Sequence, residues 1–125
     1  MKSHWLEYQG KQILYIDLAN FGDDTLSFDK EITQAITDLG PEMYQHAEHS
    51  ALVLVDLRNT NLSQEANKLL SERIVETKKY VAKTGVVGMT GIRRFFLDYF
   101  ARLAGSDTEA FDEPEAALHW LVKAK

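Results

Sequence analysis

The sequence predicts a small α/β protein in which a mixed, mostly parallel sheet opens with an N-terminal hairpin and is covered by helices. Three observations carry this. The run Ala51-Leu52-Val53-Leu54-Val55-Asp56-Leu57 is apolar and rich in β-branched residues, the pattern of a central parallel strand covered on both faces. Apolar residues at helical spacing fill the stretches before and after it, so strands and helices alternate. Two short strand-like runs at the amino end flank Gln9-Gly10-Lys11, which reads as the turn of a hairpin.

The hairpin strands are Ser3 to Tyr8 and Gln12 to Leu18. In the second, Ile13, Tyr15 and Asp17 alternate with Leu14, Ile16 and Leu18, so both faces are largely apolar and both are expected to be covered. After the turn-rich Asn20 to Asp24, the positions Phe28, Ile32, Ala35, Ile36 and Leu39 predict a helix with Ser27 as N-cap and Gly40-Pro41 as its end. Glu42 to Glu48 adds a further turn or two. The central strand and the polar Arg58 to Asn61 come next, and Ala66, Leu69, Leu70, Ile74, Thr77 and Val81 mark a second helix starting near Ser63. Thr84 to Met89 reads as another buried strand. Ile92, Phe95, Phe96, Tyr99, Phe100 and Leu103 then form the strongest helical stripe in the chain, closed by Gly105. Thr108 to Phe111 is short enough for an edge strand. Asp112-Glu113-Pro114-Glu115 reads as a capping box, and the last helix turns Ala117, Leu118, Trp120 and Leu121 inward. The predicted order is ββαβαβαβα, and no linker or repeat divides residues 1–125, so a single domain is expected.

Composition narrows the function classes. With 125 residues, 45% of them apolar, one core is expected. Acidic residues outnumber basic ones by 19 to 14, a net charge of −5 that disfavours nucleic acid as a partner. The absence of cysteine excludes disulfides and thiolate metal sites. No segment approaches the roughly 18 to 20 apolar residues of a membrane span, and a cytoplasmic setting is expected. His46 and His49 lie near Glu42 and Glu48 without an evident further ligand, so no metal is expected. No P-loop lysine follows Gly88-Met89-Thr90-Gly91, and neither a Gly-x-Ser-x-Gly elbow nor a Ser-His-acid set occurs. No cofactor and no catalytic activity are therefore expected. If chemistry were present, Asp17, Asp56 and Asp98 would be the acids to inspect.

Two places are candidates for binding. One is the turn where the strand ending at Val87 meets the aromatic stripe: Gly88, Met89, Thr90, Gly91 and Arg94. Helix-start amides bind anions and glycines permit close approach, although the same residues also suit a plain tight turn capped by Thr90. The other is Asp56 with Asn59, at the carboxyl end of the central strand where ligands of open α/β sheets bind; Asp56 equally suits a cap of its own turn. Phe95, Phe96, Tyr99 and Phe100 either pack flat on the sheet or, with Met89, line a pocket for a small apolar or lipid-like ligand. Exposed strand edges and the aromatic content suit a homodimer.

The element order, the strand ending at Asp56, the Gly88-Met89-Thr90-Gly91 turn and the ending from Phe111-Asp112 to Ala116-Ala117-Leu118-His119-Trp120-Leu121 resemble the STAS-like, or SpoIIAA-like, domains across nearly the whole chain. That family is similar to anti-sigma-factor antagonists and to the lipid-binding SEC14 type of fold, which implies binding and regulation rather than turnover, with a protein partner or self-association through the surface around Asn59, Thr60 and Ser63 and the Gly88 to Arg94 turn. Its phospho-switched members carry Asp-Ser-Ser-Gly at the start of the helix after the central strand. Here that stretch reads Asp56-Leu57-Arg58-Asn59-Thr60-Asn61-Leu62-Ser63, which departs from the motif and leaves Thr60 and Ser63 as the hydroxyls able to accept a phosphate. Ser63 also suits an ordinary N-cap.

Overall fold

The computed structural model describes residues 2–45, 50–61, 63–88 and 107–123. Five strands form one sheet in the order β1-β2-β3-β4-β5: β1 His4–Tyr8, β2 Lys11–Asp17, β3 Ala51–Asp56, β4 Val81–Val87 and β5 Asp107–Phe111. β1 pairs antiparallel with β2, and the other neighbours are parallel. The described helices are α1 (Thr25–Tyr44), α2 (Gln64–Thr77) and α3 (Pro114–Val122). This is the mixed, mostly parallel α/β architecture that the alternation of patterns predicts. The aromatic stripe from Ile92 to Leu103, expected as the helix before β5, lies outside the described residues.

The β1–β2 connection is tighter than expected. Lys11 pairs with Tyr8, and only Gln9 and Gly10 turn the chain, at φ of 49° and 80°. Two consecutive left-handed residues match the twist of a hairpin, and Gly10 adopts its conformation without a Cβ penalty.

α1 and α2 cover one face, where Leu14, Ile16, Phe28, Ile32, Val53, Val55 and Leu70 form the larger core. α3 covers the other through Ala117 and Leu121, packed with Ile13, Leu54 and Val87. Gly85 permits that packing, since a Cβ there would lie 3.3 Å from the Ala117 Cβ. Fully burying a side chain such as Phe28 or Ile32 contributes roughly 1.5–3 kcal/mol, so the α1 face anchors the fold.

Four local expectations are corrected. α1 is capped by Asp24, whose side chain accepts from Ser27 N, and Ser27 lies within the first turn. α1 also runs through Gly40-Pro41 to Tyr44. Proline forfeits one backbone hydrogen bond there, but continuing the helix buries Met43 at 1% exposure and sets Tyr44 against Tyr80, with ring centroids 4.7 Å apart. β4 begins at Val81, the residue whose spacing had suggested the end of α2. An irregularity opposite Ala51, where Val81 and Lys83 pair with Ala51 and Leu52, turns Val81 toward the α1–α2 core. Finally, Glu113 caps α3 without a side-chain hydrogen bond, so no capping box forms, and Pro114 at the first position starts the helix by its fixed φ.

Candidate functional site

The parallel strands end on one side of the sheet, and the β2–α1 and β3–α2 loops meet there. Their meeting extends the ladder beyond the strands: Leu18 N donates to Asp56 O (2.9 Å), Asn20 N to Arg58 O (2.8 Å), Gly22 N to Asn59 O (3.0 Å) and Asn61 N to Gly22 O (2.7 Å). Side chains lock the same seam. Asn59 Nδ2 donates to Asn20 Oδ1 at 2.9 Å, and Asn61 Nδ2 donates to Asp23 Oδ1 at 2.6 Å. Asn20 and Asn59 take φ of 65° and 58°, a left-handed conformation that asparagine tolerates better than most residues. The Thr60 hydroxyl donates to Leu18 O (2.5 Å) and accepts from Phe21 N (3.1 Å), and the residue is only 5% exposed.

Beneath the seam, on the α3 face of the sheet, lies an ion pair between a buried aspartate and a half-exposed arginine. Asp56 ends β3 and is 1% exposed. Its Oδ1 accepts from the Arg58 backbone N (3.1 Å) and Nε (3.0 Å), and its Oδ2 accepts from Arg58 Nη2 (2.8 Å) and the Tyr15 hydroxyl (2.6 Å). The aspartate therefore caps its own turn, holds an arginine in a two-pronged grip and anchors a tyrosine on the neighbouring strand. His4 stacks on Tyr15 with ring centroids 5.4 Å apart. Gly88, at φ 91°, packs backbone against backbone on Arg58: a Cβ there would come within 2.7 Å of Arg58 N. Only glycine fits, so the exit of β4 is fixed against the Arg58 loop.

The electrostatics follow from this geometry. Burial alone would raise the Asp56 carboxyl, but the Arg58 guanidinium and the Tyr15 hydroxyl outweigh it and hold the group below the usual carboxylate range. Burial and the hydrogen bond to Asp56 push the Tyr15 phenol up. The same hydrogen bonds raise Arg58 further above its already high value. Asp56 does have polar groups within hydrogen-bond reach, the geometry that chemistry would need. Its acceptor capacity is nonetheless taken up, and neither Asp56 nor Tyr15 titrates near neutral pH.

Of the expected site residues, Asp56, Asn59, Thr60 and Gly88 converge on this corner. Ser63 does not join them: it caps α2, its side chain accepting from Ala66 N. Thr60 is corrected as a phosphoacceptor, because its hydroxyl is buried and bonded in both directions. Met89, Thr90, Gly91, Arg94, Phe95, Phe96, Tyr99 and Phe100 lie outside the described residues, as do Asp98, His46, Glu48 and His49. Asp17 is spent locally, accepting from Ala19 N at 3.1 Å and pairing with Lys2 at 3.5 Å. Sequence reasoning missed Tyr15 and Arg58. The i, i+2 spacing of Asp56 and Arg58 was a usable signal for an arginine folding back on the acid. Tyr15 becomes visible only once the β2–β3 register sets it beside Leu54, two residues from Asp56.

No family model and no curated protein match the chain. Among solved structures it is similar to the crystal structure of an uncharacterised protein of the DUF3478 family with a SpoIIAA-like fold from Shewanella loihica PV-4. The two superimpose with a TM-score of 0.66 at 12% identity, over 95% of this chain and 91% of that one. The protein is thus an α/β domain of SpoIIAA-like fold, as the resemblance in its sequence implied.

Proposed function

We propose that this protein is a non-catalytic, STAS-like interaction module that docks a protein partner on the interlocked β2–α1 and β3–α2 loops. Support comes chiefly from the way those loops are held. Four backbone hydrogen bonds and the Asn20–Asn59 and Asn61–Asp23 contacts fix them against each other. A surface already ordered loses little entropy on binding, and it lies at the strand ends where open α/β sheets bind their ligands. Leu26, 85% exposed in the first turn of α1, supplies an apolar anchor on the helix that follows the exposed Asn20 and Asp23 of the seam. The saturated Asp56 supports binding over turnover, since the buried acid beneath this surface is not free to move protons.

Regulation by phosphate, if the module carries it, falls to Ser63. A phosphate there would sit at the amino end of α2, where the helix dipole favours negative charge. Intact-mass and site mapping of protein from its native cell should find any phosphate on Ser63 and none on Thr60.

The docking surface is tested by quantitative affinity purification from native cells with wild type, Leu26→Asp and the distal control Lys11→Asp. Asp is well tolerated in a first helical turn, so Leu26→Asp should keep the fold. The expected result is one protein, or a second copy of this chain, depleted about tenfold by Leu26→Asp and retained by Lys11→Asp, a loss of about 1.4 kcal/mol. Equal recovery with both variants would remove these loops from the interface.

A further inference from the structure

On the opposite face from the Asp56 pair, α1 and α2 leave a cleft of about 30 Å³ over β3. Its walls are apolar, with Ile32 and Ile36 of α1 facing Leu70 and Ile74 of α2 above Val53 and Val55. One group does not fit these surroundings. Arg73 also lines the cleft, and its Nε is buried without a hydrogen-bond partner among the described residues. The rest of the guanidinium is not idle: Nη1 donates to both Glu76 carboxylate oxygens, at 2.9 and 2.8 Å. That ion pair occupies the head group and leaves Nε as the donor still to be met.

A charged donor kept out of water without an acceptor is costly, and such groups in native proteins are met by an ordered water or a ligand. The cleft has the means to hold one. The room it offers exceeds the roughly 10–15 Å³ that one water needs, and Thr77 and Thr84 are buried polar residues on its lining. The Thr77 hydroxyl is turned back onto its own helix, bonding Arg73 O and Ile74 O, so its lone pairs remain able to accept. Lys78 adds positive charge at the same cleft.

We propose that the α1–α2 cleft is a binding site for a small oxygen acceptor, which takes the Arg73 Nε hydrogen and sits among the apolar side chains of the two helices. The acceptor is the oxygen of a water or of a short-chain monocarboxylate. The carboxylate would place its hydrocarbon end between Ile32, Ile36 and Ile74 and would part the helices slightly to do so. This site is independent of the loop surface, and a carboxylate bound there would make the α1–α2 joint responsive to a small molecule.

The Arg73 Nε–Hε resonance of ¹⁵N-labelled protein reads the site directly. In buffer alone it should show a cross-peak to a long-lived water, and sodium butyrate is then titrated. Loss of the water cross-peak with a saturable shift assigns the site to carboxylates, whereas an unchanged cross-peak assigns it to water. Both outcomes place an oxygen acceptor on Nε. In the first case Arg73→Lys, which keeps the charge and loses the planar fork, should weaken butyrate about tenfold, read from the shifts of the Ile36 and Ile74 methyl groups. An Hε that exchanges as fast as a solvent-exposed arginine, with no water cross-peak and no butyrate shift, would overturn the proposal. So would a through-bond coupling from Nε to a protein carbonyl.

Discussion

Asp56 shows how one residue can settle what a corner of the sheet does. It is deeply buried, yet Arg58 and Tyr15 together keep it ionised. Asp56→Asn loses the charge-assisted hydrogen bonds from Arg58 and Tyr15, and should destabilise the fold by about 1.5–3 kcal/mol in urea unfolding. Acid sensitivity follows with a definite sign. Asp56 and Glu31, the latter buried and accepting from the backbone N of Lys2 and Ser3 at 3.0 and 2.9 Å, both titrate below the ordinary carboxylate range. Such groups bind fewer protons folded than unfolded, so their stabilisation is complete above about pH 5 and is lost as pH falls through the folded-state values. Denaturation midpoints taken between neutral and acid pH should therefore fall in the wild type, and fall less steeply in Asp56→Asn. Gly88→Ala should cost about 2–4 kcal/mol, because φ of 91° and a 2.7 Å approach to Arg58 N both exclude a Cβ. The sequence pointed to Asp56 and Gly88 as positions of interest but not to their link. Arg58, which touches both, is a loop residue whose direction no periodicity encodes.

At the scale of elements, what the chain spelled out was existence and type, and what it hid were boundaries decided by tertiary burial. Pro41 reads locally as a helix end, yet burial of Met43 and the Tyr44–Tyr80 contact carry α1 past it. Replacing Pro41 by Ala restores the missing donor, and should raise stability by about 1–2 kcal/mol in thermal unfolding, the gain being reduced by a more flexible unfolded chain. Val81 sits at helical spacing from Thr77 because a break in register, not a helix, places it on that face. Ser63 behaves as its sequence context promises, since an N-cap is written in local chemistry alone. Lys83 illustrates the contrary case. By sequence it stands just before the strand expected from Thr84, but it lies within β4, is 7% exposed, and its Nζ donates to Trp120 O (3.0 Å) and Lys123 O (2.9 Å), the carbonyls that end α3. Lys83→Met should leave those carbonyls short of donors and loosen α3. Amide exchange in α3 should accelerate roughly tenfold or more, while exchange in α1 changes little.

For the whole molecule, the parallel alternation, the hairpin and the covering helices were legible because both faces of β3 are apolar and the connecting segments carry helical stripes. The site was legible only as a region. Its useful property is collective, two loops sewn together by backbone and asparagine contacts, and no single residue type announces that. The proposed partner surface is this seam, with Leu26 at its edge. A photo-crosslinking residue placed at Leu26, compared with one at Lys11 on the opposite end of the strands, tests this in living cells. A discrete covalent adduct from position 26 and none from position 11 is the predicted result. Adducts of equal yield from both positions, or none from position 26, would contradict it.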